Sequence, residues 1–335
     1  MNIVAPISRV DEIEALAIAG ANELYCGIVP NQWVGSFKAP TANRRFSGNL
    51  RTYDDLQRAV VSAHANKCHI SLVLNAQHYN GEQIEAALEL GKRFRDLGGD
   101  ALIVCDMGLI DAVTAAVPDF PIHVSSVASC RNTEAAKAYR NLGAKRIILP
   151  RDISLAEAAR IVKAVPDVEF EVFVLNDGCV FEEGSCHTIH LPGQLGGPIC
   201  LDNYTYDYRR RDGTKLEDYE ILRINENDRD YKQWLWYRFS CGFSVTQEGL
   251  PYGPCGLCAI PYLLSAGIAA VKIAGREGPT ERKVAGTKMV SAVLRRSEEG
   301  ATATDVQNFA RNYRGESKHC RTGYMCYYPE VAMKS

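Results

Sequence analysis

Eight times along this chain a short apolar run ends at a polar residue and gives way to a helical pattern. That alternation limits the fold more than any other feature. The runs are 3–5, 23–27, 69–75, 101–106, 121–125, 146–150, 169–175 and 270–274. Gly20, Gly98, Gly143 and Gly267 each stand between a helical pattern and the next run, where a helix ends in a left-handed residue. Ser154 with Glu157 has the form of a capping box, and Thr52 and Asn132 are good N-caps for the helices that follow them. Strands alternating with helices require a parallel sheet. Eight such units in a chain of 335 residues therefore predict an α/β protein with a closed (β/α)8 barrel of the TIM type. An open, doubly wound sheet is the alternative, and it lacks support because the first strand leads into PISRV, which is no glycine-rich phosphate loop.

The expected organisation is a barrel domain over residues 1–300 and a C-terminal extension over 301–335. The seventh strand is followed by an insertion, 177–254, of roughly 80 residues, too long for an ordinary connection and so expected to be functional. It carries Tyr204, Tyr206, Tyr208, Trp234, Trp236, Tyr237 and the basic run Arg209 to Arg211. Tyrosines beside arginines can stack on bases and hold phosphates, but a short charge run is more often a solvated face. A formal net charge of −2 gives no overall pull toward nucleic acid. RNA is thus an admissible partner but not the favoured one. The opening MNIVAPISRV has no apolar core of a secretory signal, and no run approaches the ~18 apolar residues of a membrane span. The expected location is cytoplasmic.

Twelve cysteines in a reducing compartment point to metal or redox chemistry rather than to disulfides. Cys26, Cys68, Cys105 and Cys130 fall in or beside strands, where a free thiol acts as a small core residue. Cys179, Cys186 and Cys200 instead share a glycine-rich loop at the start of the insertion. Thiolates suit zinc or an iron–sulfur cluster, and four of them close either site. Cys241 or Cys258 can supply the fourth, and spacing alone does not choose the metal. Cys255 and Cys258, two residues apart, resemble half of a zinc knuckle. His187 and His190 follow Cys186 closely and are more often supporting or solvent-facing groups than ligands.

The stretches AIAGANELYCG, SLVLNAQ, ALIVCDMGLI, IILPRDISL, LLSAGIAAVKIAGR and above all EVFVLNDGCVFEEGSC together resemble the U32 peptidase family, also called collagenase-like peptidases. The resemblance covers most of the chain. It implies a barrel fold and a four-iron, four-sulfur cluster, with Cys179, Cys186 and Cys200 matching three of the ligands and Cys241 the fourth; Cys258 stays in reserve. It also implies oxygen-independent hydroxylation, of ubiquinone precursors, transfer RNA or ribosomal RNA in different members, with prephenate as hydroxyl source in some. Protease chemistry finds no support, since HExxH and GxSxG are absent. The chain departs from the family pattern at Ile189 and Ala274, and adds the pairs Cys255 and Cys258, Cys320 and Cys326, which leaves room for a second metal site.

Barrel chemistry gathers at the carboxyl ends of strands. Those ends read Asn75, Asp106, Ser125, Ser126, Arg151, Asp152, Asn176, Asp177, Gly275 and Arg276. Arg151 and Asp106 are the expected substrate contacts. The arginine fork fits a carboxylate or phosphate of a small anionic substrate, and the carboxylate can hold a hydroxyl or act as a base. Lys272, inside the last strand, is either a substrate cation or a barrel charge with a carboxylate partner. The favoured function is an iron–sulfur enzyme that hydroxylates or otherwise modifies an organic or RNA substrate. The alternative is a non-catalytic, cluster- or zinc-bearing subunit that pairs with a related chain, or with itself, as scaffold or electron carrier.

Overall fold

The computed structural model describes the chain from residue 1 to 332, apart from 38–41, 46, 177–178, 180–181, 187–205, 244–253, 316–319, 321–322 and 324–325, and apart from the side chains of 32, 234–243 and 332. Eight strands close into a barrel in chain order: β1 (Asn2–Pro6), β2 (Glu23–Cys26), β3 (His69–Leu74), β4 (Ala101–Val104), β5 (Ile122–Val124), β6 (Ala144–Ile148), β7 (Glu169–Leu175) and β8 (Ala270–Ile273). Every neighbouring pair is parallel, β1 with β8 included. The fold is the expected (β/α)8 barrel.

Local signals account for the framework. Gly20, Gly98, Gly143 and Gly267 have φ of 108°, 89°, 95° and 80°, the left-handed backbone that stops a helix and turns the chain toward the sheet. Ser154 and Glu157 form a capping box, while Thr52 and Asn132 accept the amides of Asp55 and Ala135. β6 starts two residues earlier than expected, because Gly143 delivers the chain straight onto the ladder. Several strands stop short of their predicted ends, since the polar residues there leave the ladder to bond elsewhere. Asp106 is one, accepting the Leu109 amide at 2.9 Å as N-cap of the Met107–Ala116 helix. Cys26, Cys68, Cys105 and Cys130 are buried, and burial pushes the thiols of Cys26, Cys105 and Cys130 up to about 12. Among the described residues no helix is long and apolar enough to cross a membrane.

The barrel interior is ionic. Strand residues alternate faces, so Leu24 and Cys26 pack outward while Glu23 and Tyr25 point in. Arg146 of β6 binds Glu23 through both terminal nitrogens, at 2.6 and 2.9 Å, and reaches Glu171 of β7 at 3.1 Å. Lys272 Nζ of β8 lies 2.7 Å from the other Glu171 oxygen and 4.0 Å from the centre of the Tyr25 ring. The second of the two readings of Lys272 therefore holds: it is a barrel charge with a carboxylate partner. Two carboxylates face two cations, which satisfies the rule that buried charges are paired.

His123 of β5 shares this interior. Burial, and then the charge of Arg146, hold its pKa down to about 4, so it is neutral near pH 7. Because its folded pKa lies below the unfolded value near 6.5, protonation favours the unfolded chain. Its contribution, about 3 kcal/mol, is complete above pH ~6.5 and drains as pH falls toward 4. The melting temperature is expected to drop across that window and to drop less in His123→Gln. Parallel curves for the two proteins would show that His123 is not the group responsible.

Candidate functional site

Seven chain segments meet at the carboxyl end of the barrel. The turn after β2 is fastened there by Tyr79, whose hydroxyl donates to the Ala42 carbonyl at 2.7 Å and accepts the Ala76 amide at 3.1 Å. Asn75, just past β3, accepts the Arg44 amide at 3.3 Å and donates to Ser125 Oγ, past β5, at 3.2 Å. Arg276, past β8, donates to Asn43 at 2.9 Å and to Asn49 at 3.0 Å. Gly27 makes room for that guanidinium, as an added Cβ would stand 2.0 Å from Arg276 Nη1.

Arg151, past β6, is central. Its guanidinium carbon lies 3.8 Å over the Phe173 ring, and it pairs with Glu183. Arg44 approaches the same Glu183 oxygen at 3.5 Å. Burial opposes the charge on Arg151, but Glu183, Tyr327 and Cys179 more than restore it. The Tyr327 hydroxyl in turn donates to the Asn176 carbonyl. Asn176 ends β7 with φ 66°, a left-handed conformation that asparagine tolerates better than most residues. It turns the chain out of the barrel and into the cysteine loop. Arg44 Nε, Arg151 Nε, Glu183 Oε1 and Asn176 Oδ1 are buried and have no hydrogen-bond partner among the described residues. Such atoms normally find a partner, whether protein, water or ligand.

The described part of the loop is pinned tightly. Gln77 Nε2 donates to the Glu183 and Gly184 carbonyls, both at 3.3 Å. Glu182 accepts the Gly184 amide at 2.8 Å and the Ser129 hydroxyl at 3.0 Å, and pairs with Arg131 at 3.1 Å. Burial works against its ionisation, yet these bonds hold it down to about 2. A Cβ on Gly184 would lie 1.7 Å from Ser129 Oγ and 2.7 Å from the Val127 carbonyl. The hydroxyl can rotate away; the carbonyl cannot. Gly184→Ala is therefore expected to cost about 1–3 kcal/mol and to speed chymotryptic cleavage within 177–211. An unchanged melting temperature and cleavage pattern would show that the loop is not pinned this way.

The sequence-predicted residues fall as follows. Arg151, Asn75, Ser125 and Asn176 come together at the mouth. Asp106 lies half-buried at the end of β4, and Asp152 turns outward to Arg131 at 2.7 Å. Cys179 and Cys186 are partly exposed on the loop. Asp177, His187, His190, Ile189 and Cys200 lie outside the described residues. Cys241 falls in the Asp218–Phe243 helix with its side chain outside them. Among the described residues no three His, Cys, Asp or Glu side chains are grouped to hold a metal ion. The thiols that are described fit a thiolate-bound group in kind: Cys179 sits within electrostatic reach of Arg151, a cation suited to an anionic centre. In the basic run, Arg209 is paired with Asp207 at 2.7 Å and Arg210 with Glu220. Tyr206 and Tyr208 remain half exposed, with ring centres 6.1 Å apart. Arg44, Asn43, Asn49, Glu183 and Tyr327 were not expected at the site. Glu183 alone had a signal, lying inside the FEEG of the cysteine signature.

Comparison with known proteins follows this geometry. The chain is 30% identical over 184 residues to the tRNA hydroxylation protein P of Escherichia coli (strain K12), a match covering 55% of this chain and 38% of that protein. It is also 30% identical over 182 residues to a 23S rRNA 5-hydroxycytidine synthase of the same strain, covering 52% of this chain and 27% of the other. A third relative, tRNA hydroxylation protein P1 of Bacillus subtilis (strain 168), is 22% identical over 278 residues, 82% of this chain and 58% of that one. The matches thus span well under two thirds of these relatives' length. Among solved structures, the U32 peptidase Mk0906 aligns at a TM-score of 0.39 with 16% identity, over 52% of this chain and 69% of that one. The model of peptidase family U32 matches residues 8–335, and on that span the chain belongs to peptidase family U32.

Proposed function

We propose that this barrel hydroxylates a base in RNA without molecular oxygen, with a four-iron, four-sulfur cluster on Cys179, Cys186, Cys200 and Cys241. The observation that carries the reading is the arrangement of Arg44, Glu183 and Arg151 at the mouth, with unpartnered buried atoms among the described residues, next to the loop that bears Cys179 and Cys186. The names of the relatives support hydroxylation of RNA as the chemical class. A cluster held by these four cysteines would supply electrons to the reaction. The chain's own residues do the rest. Arg151, kept charged in a mostly buried setting, presents its fork to a phosphate or to the carboxylate of an organic hydroxyl donor. Arg44 adds a second cation at the same Glu183 oxygen. Asp106, at the end of β4, holds a substrate hydroxyl or accepts a proton. The exposed tyrosines 206 and 208 offer faces on which bases stack.

The test joins metal analysis to nucleoside analysis. Protein purified without oxygen is expected to contain iron and acid-labile sulfide, both sharply reduced in Cys179→Ala and Cys186→Ala but not in Cys26→Ala. Transfer and ribosomal RNA from a strain lacking the protein is expected to lack a nucleoside heavier by one oxygen, restored by the wild-type gene. An unaltered nucleoside profile in that strain would defeat the RNA reading. Iron-free protein that still restored the nucleoside would defeat the cluster.

A further inference from the structure

The ion pairs at the mouth are lopsided. Arg44, Arg151 and Glu183 keep 9%, 14% and 7% of their side-chain surface exposed, so little water reaches them. Both cations converge on Oε2 of Glu183, Arg151 in a direct pair and Arg44 at 3.5 Å. Oε1 of the same carboxylate is buried and has no hydrogen-bond partner among the described residues, and neither does Nε of either arginine. In a lasting buried pair a carboxylate uses both oxygens, and arginine meets it with two parallel bonds near 2.8 Å. Here one oxygen is crowded by two guanidinium groups while the other is idle. One carboxylate between two such cations also leaves positive charge over, which draws anions in.

The three side chains differ in how firmly they are placed. Arg151 lies over the Phe173 ring at 3.8 Å, and the Arg44 backbone is tied to Asn75. Glu183 stands between Cys179 and Cys186 on the cysteine loop, and its backbone is fixed without help from its carboxylate. Its carbonyl accepts Gln77 Nε2 at 3.3 Å and the Cys186 amide at 3.4 Å. The adjoining Glu182 separately holds Gly184 and Ser129. A change of rotamer at Glu183 therefore frees both arginines and leaves the loop pinned.

We infer that the Glu183 carboxylate is a displaceable stand-in for the anionic group of the substrate. It occupies Arg151 and Arg44 while the site is empty. An incoming carboxylate or phosphate is drawn by the surplus positive charge, takes the two guanidinium forks with its own oxygens, and drives the like-charged Glu183 out toward water. The exchange selects against ligands: an ion that offers a single contact cannot replace a built-in carboxylate, whereas one with several oxygens also satisfies the idle Nε donors. This inference rests on the reading of the mouth as the substrate site, but not on the substrate being RNA nor on the cluster.

Calorimetric binding of two probes, inorganic phosphate and malonate, to the full-length protein tests the exchange in wild type, Glu183→Gln and Glu183→Asp. Glutamine removes the competing charge. Aspartate keeps the charge nearby but is one methylene too short to hold Oε2 against Arg151. Both variants are expected to bind the favoured anion about tenfold tighter than wild type. Preference for phosphate or for malonate tells which source of oxyanion the site takes. Tighter binding in Glu183→Gln alone would show a general effect of charge and overturn the stand-in, as would weaker or unchanged binding in Glu183→Gln, or no binding of either probe to any of the three proteins. Because a variant can fail to fold, wild-type protein is also labelled with excess carbodiimide and glycine ethyl ester, with and without each anion, and read by mass spectrometry. Labelling of Glu183 is expected to rise severalfold with the bound anion while that of Glu182 stays constant. A Glu183 that remains protected in the presence of both anions would refute displacement. An unaltered RNA nucleoside profile alongside an intact exchange would sink the RNA reading alone.

Discussion

Arg146→Met is expected to be the most destabilising single change in the barrel, at about 3–5 kcal/mol, read as a lower denaturation midpoint. The size follows from what remains behind. Arg146 is 5% exposed and Glu171 1%, and without the guanidinium Glu23 and Glu171 face Lys272 as their remaining interior cation. The cost is therefore that of stranded carboxylates more than that of a lost attraction. Glu23→Gln in the same chain is expected to recover part of the loss, as pairs in one network are not additive. Arg146→Lys keeps the charge but not the two-pronged contact with Glu23, and should fall between. If Arg146→Met matched wild type in stability, the interior pairing would be energetically idle.

Under the proposed function, Arg151→Lys is expected to lower product formation about 10²-fold at unchanged metal content, while the melting temperature changes little. Lysine keeps a positive charge beside Glu183 and over Phe173, but cannot offer parallel donors to a carboxylate or phosphate. The comparison with Asp106→Asn separates the two candidate contacts. Asparagine can still cap the Met107–Ala116 helix, so a loss of product there would report on chemistry rather than on the helix. Should both variants form product at the wild-type rate, neither side chain touches substrate. A fall in metal content in Arg151→Lys would instead mark Arg151 as a support for the cysteine loop.

The barrel was legible because its signals are local. A glycine at four of the helix ends, a capping box at Ser154 and apolar runs of strand length each depend on a few adjacent residues. The interior was not legible for the opposite reason. Glu23, Arg146, Glu171 and Lys272 sit on four strands, and nothing near any one of them names its partner. Arg151 stood out at a strand end, yet Glu183 and Arg44, which define its surroundings, arrive from two separate excursions of the chain. Tyr327 came from a tail that carried no readable pattern, and Asp106, expected as a substrate contact, is seen as the N-cap of the Met107–Ala116 helix.

The bond between Tyr327 and the Asn176 carbonyl joins residues 151 positions apart. The turn that launches the cysteine loop is thus fastened by a segment made long after the loop itself. During synthesis the strands up to β7 can pair as they emerge, but the loop stays without its clasp until the tail is available. Closure of the turn at Asn176 is thereby coupled to completion of the chain, because the group that fastens it is among the last to be made.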